Sequence, residues 1–149
     1  MNWVFIDLIP WDYDVATPLI RPLGGSQSAL CYLATALARR GHQVTTLTAT
    51  SAPRRINGVN CLSTQSIPRQ LFDPPDTLAI VLNGPAEAAA QVRQVARGPV
   101  LLWTQHADDQ PAIARLRDPA CASAWSRIVC ISQWQRSRYE QQLGVPAAQ

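Results

Sequence analysis

Five short runs of apolar and β-branched residues recur along the chain, and polar or proline-rich segments separate them. They cover residues 3–8, 44–48, 78–82, 100–103 and 128–131. Runs of this length that are apolar on both faces are typical of strands buried in a parallel sheet. A weaker strand is also predicted at residues 59–62, directly after an Asn57-Gly58 turn.

The segments between these runs carry the signals of helices. Across residues 30–38 the apolar residues fall at helical spacing, with Ser26 in position to cap the helix and Gly41 just beyond its end. Ser132 begins an S-x-x-Q capping box, which predicts a helix that runs to Leu143. Two further helices are predicted, one opened by Asn83-Gly84-Pro85 and running through residue 96, the other within residues 111–117.

Strands that alternate with helices predict a single α/β domain over residues 1–149. Its expected core is a Rossmann-like, doubly wound parallel sheet of roughly five to seven strands with helices on both faces. In such a sheet, ligands bind beyond the carboxyl ends of the strands, near the point where the strand order reverses. The loops after the strands are therefore the places to search for chemistry.

Composition and charge exclude several classes of protein. The chain is 47% apolar and 15% charged, which is typical of a globular domain. All 13 basic residues are arginines, so no P-loop, Schiff-base or kinase-type lysine is available. The arginines are scattered and the net charge is only +3, which argues against a nucleic-acid partner. No basic leader precedes Asp7, and this predicts a cytoplasmic location.

The cysteines give no sign of a metal site. Cys31, Cys61, Cys121 and Cys130 stand far apart and form no C-x-x-C pair, so neither a zinc site nor a disulfide framework is indicated. We expect buried, free thiols, because cysteine often packs as a small apolar residue.

A glycine pair precedes the first predicted helix. Gly24 and Gly25 would let a ligand approach backbone N–H groups at the positive end of the helix dipole, where a phosphate fits. The alternative is that the two glycines merely turn the loop. Their spacing does not match the G-x-G-x-x-G fingerprint of dinucleotide-binding proteins.

A polar group follows the strand predicted at residues 100–103. His106, Asp108 and Asp109 would place an imidazole and two carboxylates at the ligand edge of the sheet. The histidine could donate a hydrogen bond to a sugar hydroxyl or transfer a proton, or it could be a loop residue beside an aspartate that caps the next helix. Ser132 is interpreted as a helix cap, although the N–H groups it begins could also contact a ligand.

The loop after the first strand is aromatic and acidic. Trp11, Asp12, Tyr13 and Asp14 are suited to stacking on a sugar and hydrogen-bonding to it, or they form an exposed lip.

Four motifs, taken in order, resemble the "group 1" family of retaining glycosyltransferases with the GT-B architecture. They are PLGGSQ at residues 22–27, LARRGHQV at 37–44, VLLWTQH at 100–106 and IVCISQWQ at 128–135. The resemblance implies a two-domain enzyme that moves a sugar from a nucleotide-diphosphate sugar to an acceptor, with retention and without a catalytic metal or other cofactor. It further implies that this chain is the N-terminal, acceptor-side half, that the C-terminal donor-binding domain is absent, and that the isolated chain is inactive.

The resemblance also assigns site residues. It places Gly24 and Gly25 in the loop that faces the donor phosphates and the acceptor, and His106 beside the transferred sugar as the catalytic residue. Ligand contacts are expected at Gly24, Gly25, Ser26, Gln27, Asn83, Asp108 and Ser132. Two positions depart from the family, because Gln27 stands where an acidic residue is common and Asn83-Gly84-Pro85 replaces a His- or Asn-rich loop. The identity of the acceptor therefore stays open.

The expected partners are a sugar acceptor, a nucleotide sugar and the C-terminal domain, without nucleic acid, and a peripheral membrane contact stays open. An alternative function is a non-catalytic binding subunit that supplies an acceptor surface to a separate catalytic partner. A nucleotide-dependent oxidoreductase is disfavoured, because the glycine fingerprint is missing and no acidic residue ends the second strand.

Overall fold

A seven-stranded sheet forms the centre of the computed structural model, which describes residues 1–147. Its strands are β1 (Asn2–Asp7), β2 (Gln43–Thr48), β3 (Arg54–Ile56), β4 (Val59–Ser63), β5 (Thr77–Leu82), β6 (Val100–Thr104) and β7 (Arg127–Cys130). They lie in the order β3-β4-β2-β1-β5-β6-β7, and every neighbouring pair is parallel except β3 with β4. The predicted Rossmann-like α/β fold is confirmed.

The order of the strands fixes where a ligand can bind. The chain starts at the centre with β1, moves outward through β2 to β4, and then returns to place β5 on the other side of β1. The strand order therefore reverses between β1 and β5. In open α/β sheets a crevice forms at the carboxyl ends of the strands at such a switch point.

The outer strand β3 was not predicted. It has only three residues, two of them arginines, and so it lacks the alternation that indicates a strand. It is held by its hairpin with β4, in which Asn57 and Gly58 both have positive φ, 50° and 82°. That conformation is typical of a two-residue hairpin turn and confirms the predicted turn at this position.

Within residues 1–147, four α-helices and three 3₁₀ turns cover the sheet. The helices are α1 (Gly25–Arg39), α2 (Ala88–Val92), α3 (Pro119–Ser123) and α4 (Gln133–Leu143), and the 3₁₀ turns are Thr17–Leu19, Arg69–Phe72 and Pro111–Arg117. The last turn occupies the segment predicted as a short helix, whereas α3 was not predicted. Across residues 1–147, no helix is both long enough and apolar enough to span a bilayer.

The sheet is buried on both faces. Alternate residues of a strand point to opposite faces, so Val4 and Ile6 join one core cluster while Phe5 joins the other. Helix α1 and the loop that follows β1 cover the Phe5 face, and the remaining helices cover the other. Cys31 and Cys61 are buried as expected, whereas Cys121 and Cys130 are only partly buried, and all four are free thiols.

The helix predicted from Asn83 through residue 96 is confirmed only in part, and its bounds are wrong. Only Ala88–Val92 is α-helical, because the chain before it uses its backbone for contacts with other elements. The N–H of Ala86 donates to the carbonyl of Ala112 at 2.8 Å, and the carbonyl of Ala86 accepts from Nε1 of Trp125 at 2.8 Å. Asn83 has a φ of 47°, which is the left-handed region and ends β5 with a turn.

The predicted cap of α1 is also wrong. The helix begins at Gly25, and its N-cap is Gly24, with φ −58° and ψ 151°, so Ser26 lies inside the first turn. The hydroxyl of Ser26 instead accepts a hydrogen bond from Nδ2 of Asn83 at 2.9 Å. The glycine pair extends the helix beyond its serine, and no side chain caps it.

Candidate functional site

A cavity of about 310 Å³ opens at the carboxyl ends of β1 and β5, beside the loop that follows β6. Its lining includes Asp7, Gln27, Asn83, Gly84 and His106. The cavity therefore occupies the switch point of the sheet. Three of the predicted site residues, Gln27, Asn83 and His106, come together there although they are far apart in the chain.

Asn83 links two sides of this cavity. Its Nδ2 donates to Ser26 Oγ at 2.9 Å, and its Oδ1 accepts from the backbone N–H of Gln105 at 2.7 Å. The amide thus ties the first turn of α1 to the loop that carries His106. Its position is explained by these protein contacts, and its direct contact with a ligand stays a prediction.

The backbone of His106 is held by hydrogen bonds, whereas its ring atom Nδ1 is not. Its N–H donates to Thr104 Oγ1 at 3.2 Å, and its carbonyl accepts from Gln135 Nε2 at 2.9 Å and from Tyr139 Oη at 2.8 Å. Ring atom Nδ1 is buried and has no hydrogen-bond partner among residues 1–147. Burial lowers the pKa of the imidazole, so the ring is neutral near pH 7.

The start of α4 supports the His106 loop. Ser132 is the N-cap, as predicted, and its Oγ accepts from the N–H of Gln135 at 3.1 Å. The side chain of Gln135 is buried, accepts from the N–H of Ile131 at 2.8 Å and donates to the carbonyl of His106. The glutamine thus reaches one residue beyond the usual capping box and joins β7 to the loop after β6. A ligand contact at Ser132 stays a prediction.

Asp108 is held by α4. Both of its carboxylate oxygens accept from the Arg138 guanidinium, at 3.2 Å from Nε and 2.8 Å from Nη2. Hydrogen bonding to Arg138 holds the pKa of Asp108 below its ordinary value. The predicted contact of Asp108 with a ligand stays a prediction. The alternative that an aspartate caps the following turn is wrong, because no side chain caps Pro111–Arg117.

The two glycines before α1 differ in their surroundings. A Cβ at Gly24 would lie 2.5 Å from Gln27 Oε1 and 3.1 Å from Trp11 Cζ3, so the glycine is needed for close packing. A Cβ at Gly25 would meet nothing within 4 Å. The side of Gly25 is open, and the polar start of α1 carries no side-chain cap.

The aromatic and acidic loop is only partly exposed. Tyr13 and Asp14 are buried, so for these two the prediction of an exposed, sugar-contacting loop is wrong. Tyr13 Oη donates to Asp7 Oδ2 at 2.6 Å, and Asp14 pairs with Arg54 at 2.8 Å. Trp11 is 46% exposed beside Gly24, where it stays a candidate for stacking on a sugar.

Two residues that shape the site were not predicted to belong to it. Asp7 is the last residue of β1 and lines the cavity, and Gln135 secures the His106 loop. For Asp7 the signal was present, because a polar residue that ends a buried strand at the centre of a sheet points to the ligand edge. Gln135 offered no such signal, since its capping box already explained it.

The rest of the described chain offers no stronger alternative. A larger depression, about 450 Å³, runs along the edge strand β7. Its lining includes Arg127, Arg136 and the predicted site residue Ser132, but neither His106 nor the glycine pair. Within residues 1–147, no three His, Cys, Asp or Glu side chains are grouped to hold a metal ion.

Comparison with known proteins identifies the family. Residues 23–149 match the family described as Glycosyltransferase Family 4. No curated protein and no solved structure matches the chain. The matched region contains the glycine loop, Asn83, His106 and Ser132, and the parallel α/β fold agrees with the resemblance in the motifs. The chain therefore belongs to Glycosyltransferase Family 4.

Proposed function

We propose that this domain holds the acceptor in a retaining glycosyltransferase of the GT-B type, which takes its sugar from a nucleotide-diphosphate sugar. A second, donor-binding domain outside residues 1–149 would form the opposite wall of the cleft. The observation that carries the proposal is the cavity at the switch point, which brings His106 to the start of α1 in a chain of this family.

His106 is suited to a site where positive charge develops. As the phosphate leaves the anomeric carbon, an imidazolium would repel the developing charge, whereas a neutral imidazole does not. Burial keeps the ring of His106 neutral, and the fixed backbone around it holds Nδ1 in place. We propose that this ring contacts the transferred sugar.

The start of α1 is suited to a phosphate. Its first-turn N–H groups lie at the positive end of the helix dipole, no side chain caps them, and Gly25 leaves the approach open. We propose that the donor phosphates approach at Gly24 and Gly25 while the acceptor lies beside His106. Catalysis requires both substrates to be held together, so the chain alone should bind weakly and transfer nothing.

The test is an NMR titration of the ¹⁵N-labelled chain with UDP-glucose, GDP-mannose and free sugars. We expect millimolar binding, with the largest amide shifts at residues 24–27, 83–84 and 106, and no turnover of either nucleotide sugar. Shifts confined to other parts of the chain would remove the site. Turnover by the chain alone would show that the reacting groups lie within it and that the division of roles is wrong.

A further inference from the structure

Asp7 places a buried carboxylate in the lining of the cavity. The side chain is 2% exposed, and its partners are neutral. Oδ2 accepts from Tyr13 Oη at 2.6 Å and from Gln27 Nε2 at 3.0 Å, while Oδ1 accepts from the N–H of Ile9 at 3.2 Å. In the described part of the chain no cation forms an ion pair with this carboxylate. Its charge is therefore available to influence whatever enters the cavity.

Asp7 also fixes the orientation of Gln27. A carboxylate only accepts hydrogen bonds, so the amide NH₂ of Gln27 must face Asp7 and its Oε1 must face away. Gln27 is 5% exposed, and Oε1 accepts no hydrogen bond from any residue in the range 1–147. This oxygen lies next to Gly24 and belongs to a side chain that lines the cavity. An acceptor that no protein group uses is available to a ligand that donates a hydrogen bond to it.

The other polar groups of the cavity do not offset the charge of Asp7. His106 is neutral, and no arginine is among the described residues that line this cavity. An incoming group therefore meets acceptor oxygens and one negative charge in a partly desolvated space. Such surroundings favour a hydrogen-bond donor and disfavour an anion.

We propose that Asp7 and Gln27 form a selection subsite, which takes a hydroxyl or ammonium group of the acceptor and rejects an acceptor carboxylate or phosphate. The donor phosphates would approach the open side of Gly25, which does not line this cavity. Gln27 Oε1 accepts the hydrogen bond from the ligand, and Asp7 positions Gln27 and supplies the field. The inference rests on the proposed function, because it names the acceptor class of the same site. Asp7 itself lies outside the region matched to the family, residues 23–149. The family match thus does not assign this role.

The test compares three sugars of similar shape, glucosamine, glucose and glucuronate, by NMR titration of the full chain at low salt. We expect glucosamine and glucose to shift the amides around the cavity and glucuronate to bind at least about tenfold more weakly, as like-charge repulsion over several ångströms predicts. Asp7→Asn keeps the shape of the side chain and removes its charge. The affinity for glucuronate should then come to within about threefold of the affinity for glucose.

Two further variants separate the effect of the Asp7 charge from that of the hydrogen bond to Gln27 Oε1. Gln27→Met removes Oε1 and keeps the charge of Asp7, so it should weaken binding of all three sugars without changing their ratio. Asp76→Asn makes the same charge change just before the amino end of β5, at the opposite edge of the sheet, and should leave the ratio unchanged. If Asp7→Asn does not fold, the unsubstituted chain can be titrated at higher salt concentration. Screening of the Asp7 charge should then reduce the preference for glucose over glucuronate.

The outcomes distinguish this inference from the function it rests on. Sugars that bind at the cavity without regard to charge, or a ratio that Asp7→Asn leaves unchanged, would overturn the selection subsite alone. If no sugar shifts the amides around the cavity, the acceptor role of the domain and the subsite both fall.

Discussion

Helices α1 and α4 both begin at the carboxyl edge of the sheet, and the sequence predicts a serine cap for each. The structure distinguishes them. The N-cap of α1 is Gly24, and no side chain accepts from its first turn, whereas Ser132 caps α4 by accepting from the N–H of Gln135. The polar start of α1 therefore carries no side-chain cap, whereas the start of α4 is capped by the protein itself.

The same contrast extends to the side chains that each helix brings to the site. From α1, Gln27 presents an oxygen that no residue in the described chain uses. From α4, Gln135 uses both ends of its amide to hold backbone groups of the neighbouring loops. One side of the cavity therefore carries a polar atom that the protein does not use, and on the other side hydrogen bonds hold the loop in place.

The largest effect on activity is expected at His106, whose backbone carbonyl accepts hydrogen bonds from side chains of α4. In the active transferase, His106→Ala should lower kcat by about 10- to 1000-fold, the range for loss of one positioned polar group. Stability should change by less than about 0.5 kcal/mol, because the ring forms no hydrogen bond within residues 1–147. Steady-state kinetics and melting curves measure both quantities, with His42→Ala as the matched control. Unchanged turnover, or activity lost only through unfolding, would make His106 a structural residue.

The next largest effect is expected at Gln135, whose side chain holds the His106 loop, and it concerns stability. Gln135→Leu keeps the volume but leaves the N–H of Ile131 and the carbonyl of Thr104 without this side-chain partner, so the chain should lose about 2–4 kcal/mol of stability. Gln133→Leu at an exposed position of the same helix should change stability by less than about 0.5 kcal/mol. Urea unfolding measures both variants. Equal stabilities would mean that the His106 loop does not depend on α4.

A third experiment compares the two serines directly. Ser132→Ala removes a cap and should cost about 1 kcal/mol. Ser26→Ala removes only a hydrogen bond from Asn83 on a partly exposed surface, where water can replace it, so it should cost less. Urea unfolding under one set of conditions gives the difference. A larger loss from Ser26→Ala would show that the start of α1 is closed by the protein as firmly as that of α4.

The sequence predicted those parts of the fold that depend on local pattern. The central strands are apolar runs bounded by turn residues, and each is found within one residue of its expected position in the sheet. The edge strand β3 has no such pattern and exists because the turn at Asn57 and Gly58 folds it back onto β4. The helix expected from Asn83 begins only at Ala88, because Ala86 uses its backbone for contacts with Ala112 and Trp125.

The site was predictable where it follows the strand ends and unpredictable where it depends on distant contacts. His106 was singled out because loops at the carboxyl edge of such a sheet carry ligands, and the structure places it in the lining of the cavity there. The role of Gln27 depends on a hydrogen bond to Asp7 across 20 positions, and that of Gln135 on one to His106 across 29. Local sequence does not specify which distant partner a buried amide will find.

The smallest effect is a pH dependence that separates the two histidines. Burial lowers the pKa of His106, so below its ordinary value of 6.5 the unfolded chain binds a proton that the folded chain does not. Stability should then fall as the pH drops below about 6.5, until the pH passes the lower pKa of the folded state. The pKa of Asp108 is also lowered, by Arg138, so that carboxylate titrates at more acidic pH than this window. His106→Asn should abolish the slope just below about pH 6.5, and His42→Asn should retain it. Urea midpoints across this range give the slope, and a slope that persists in His106→Asn would assign the proton to another group and weaken the case for a buried, neutral imidazole at the site.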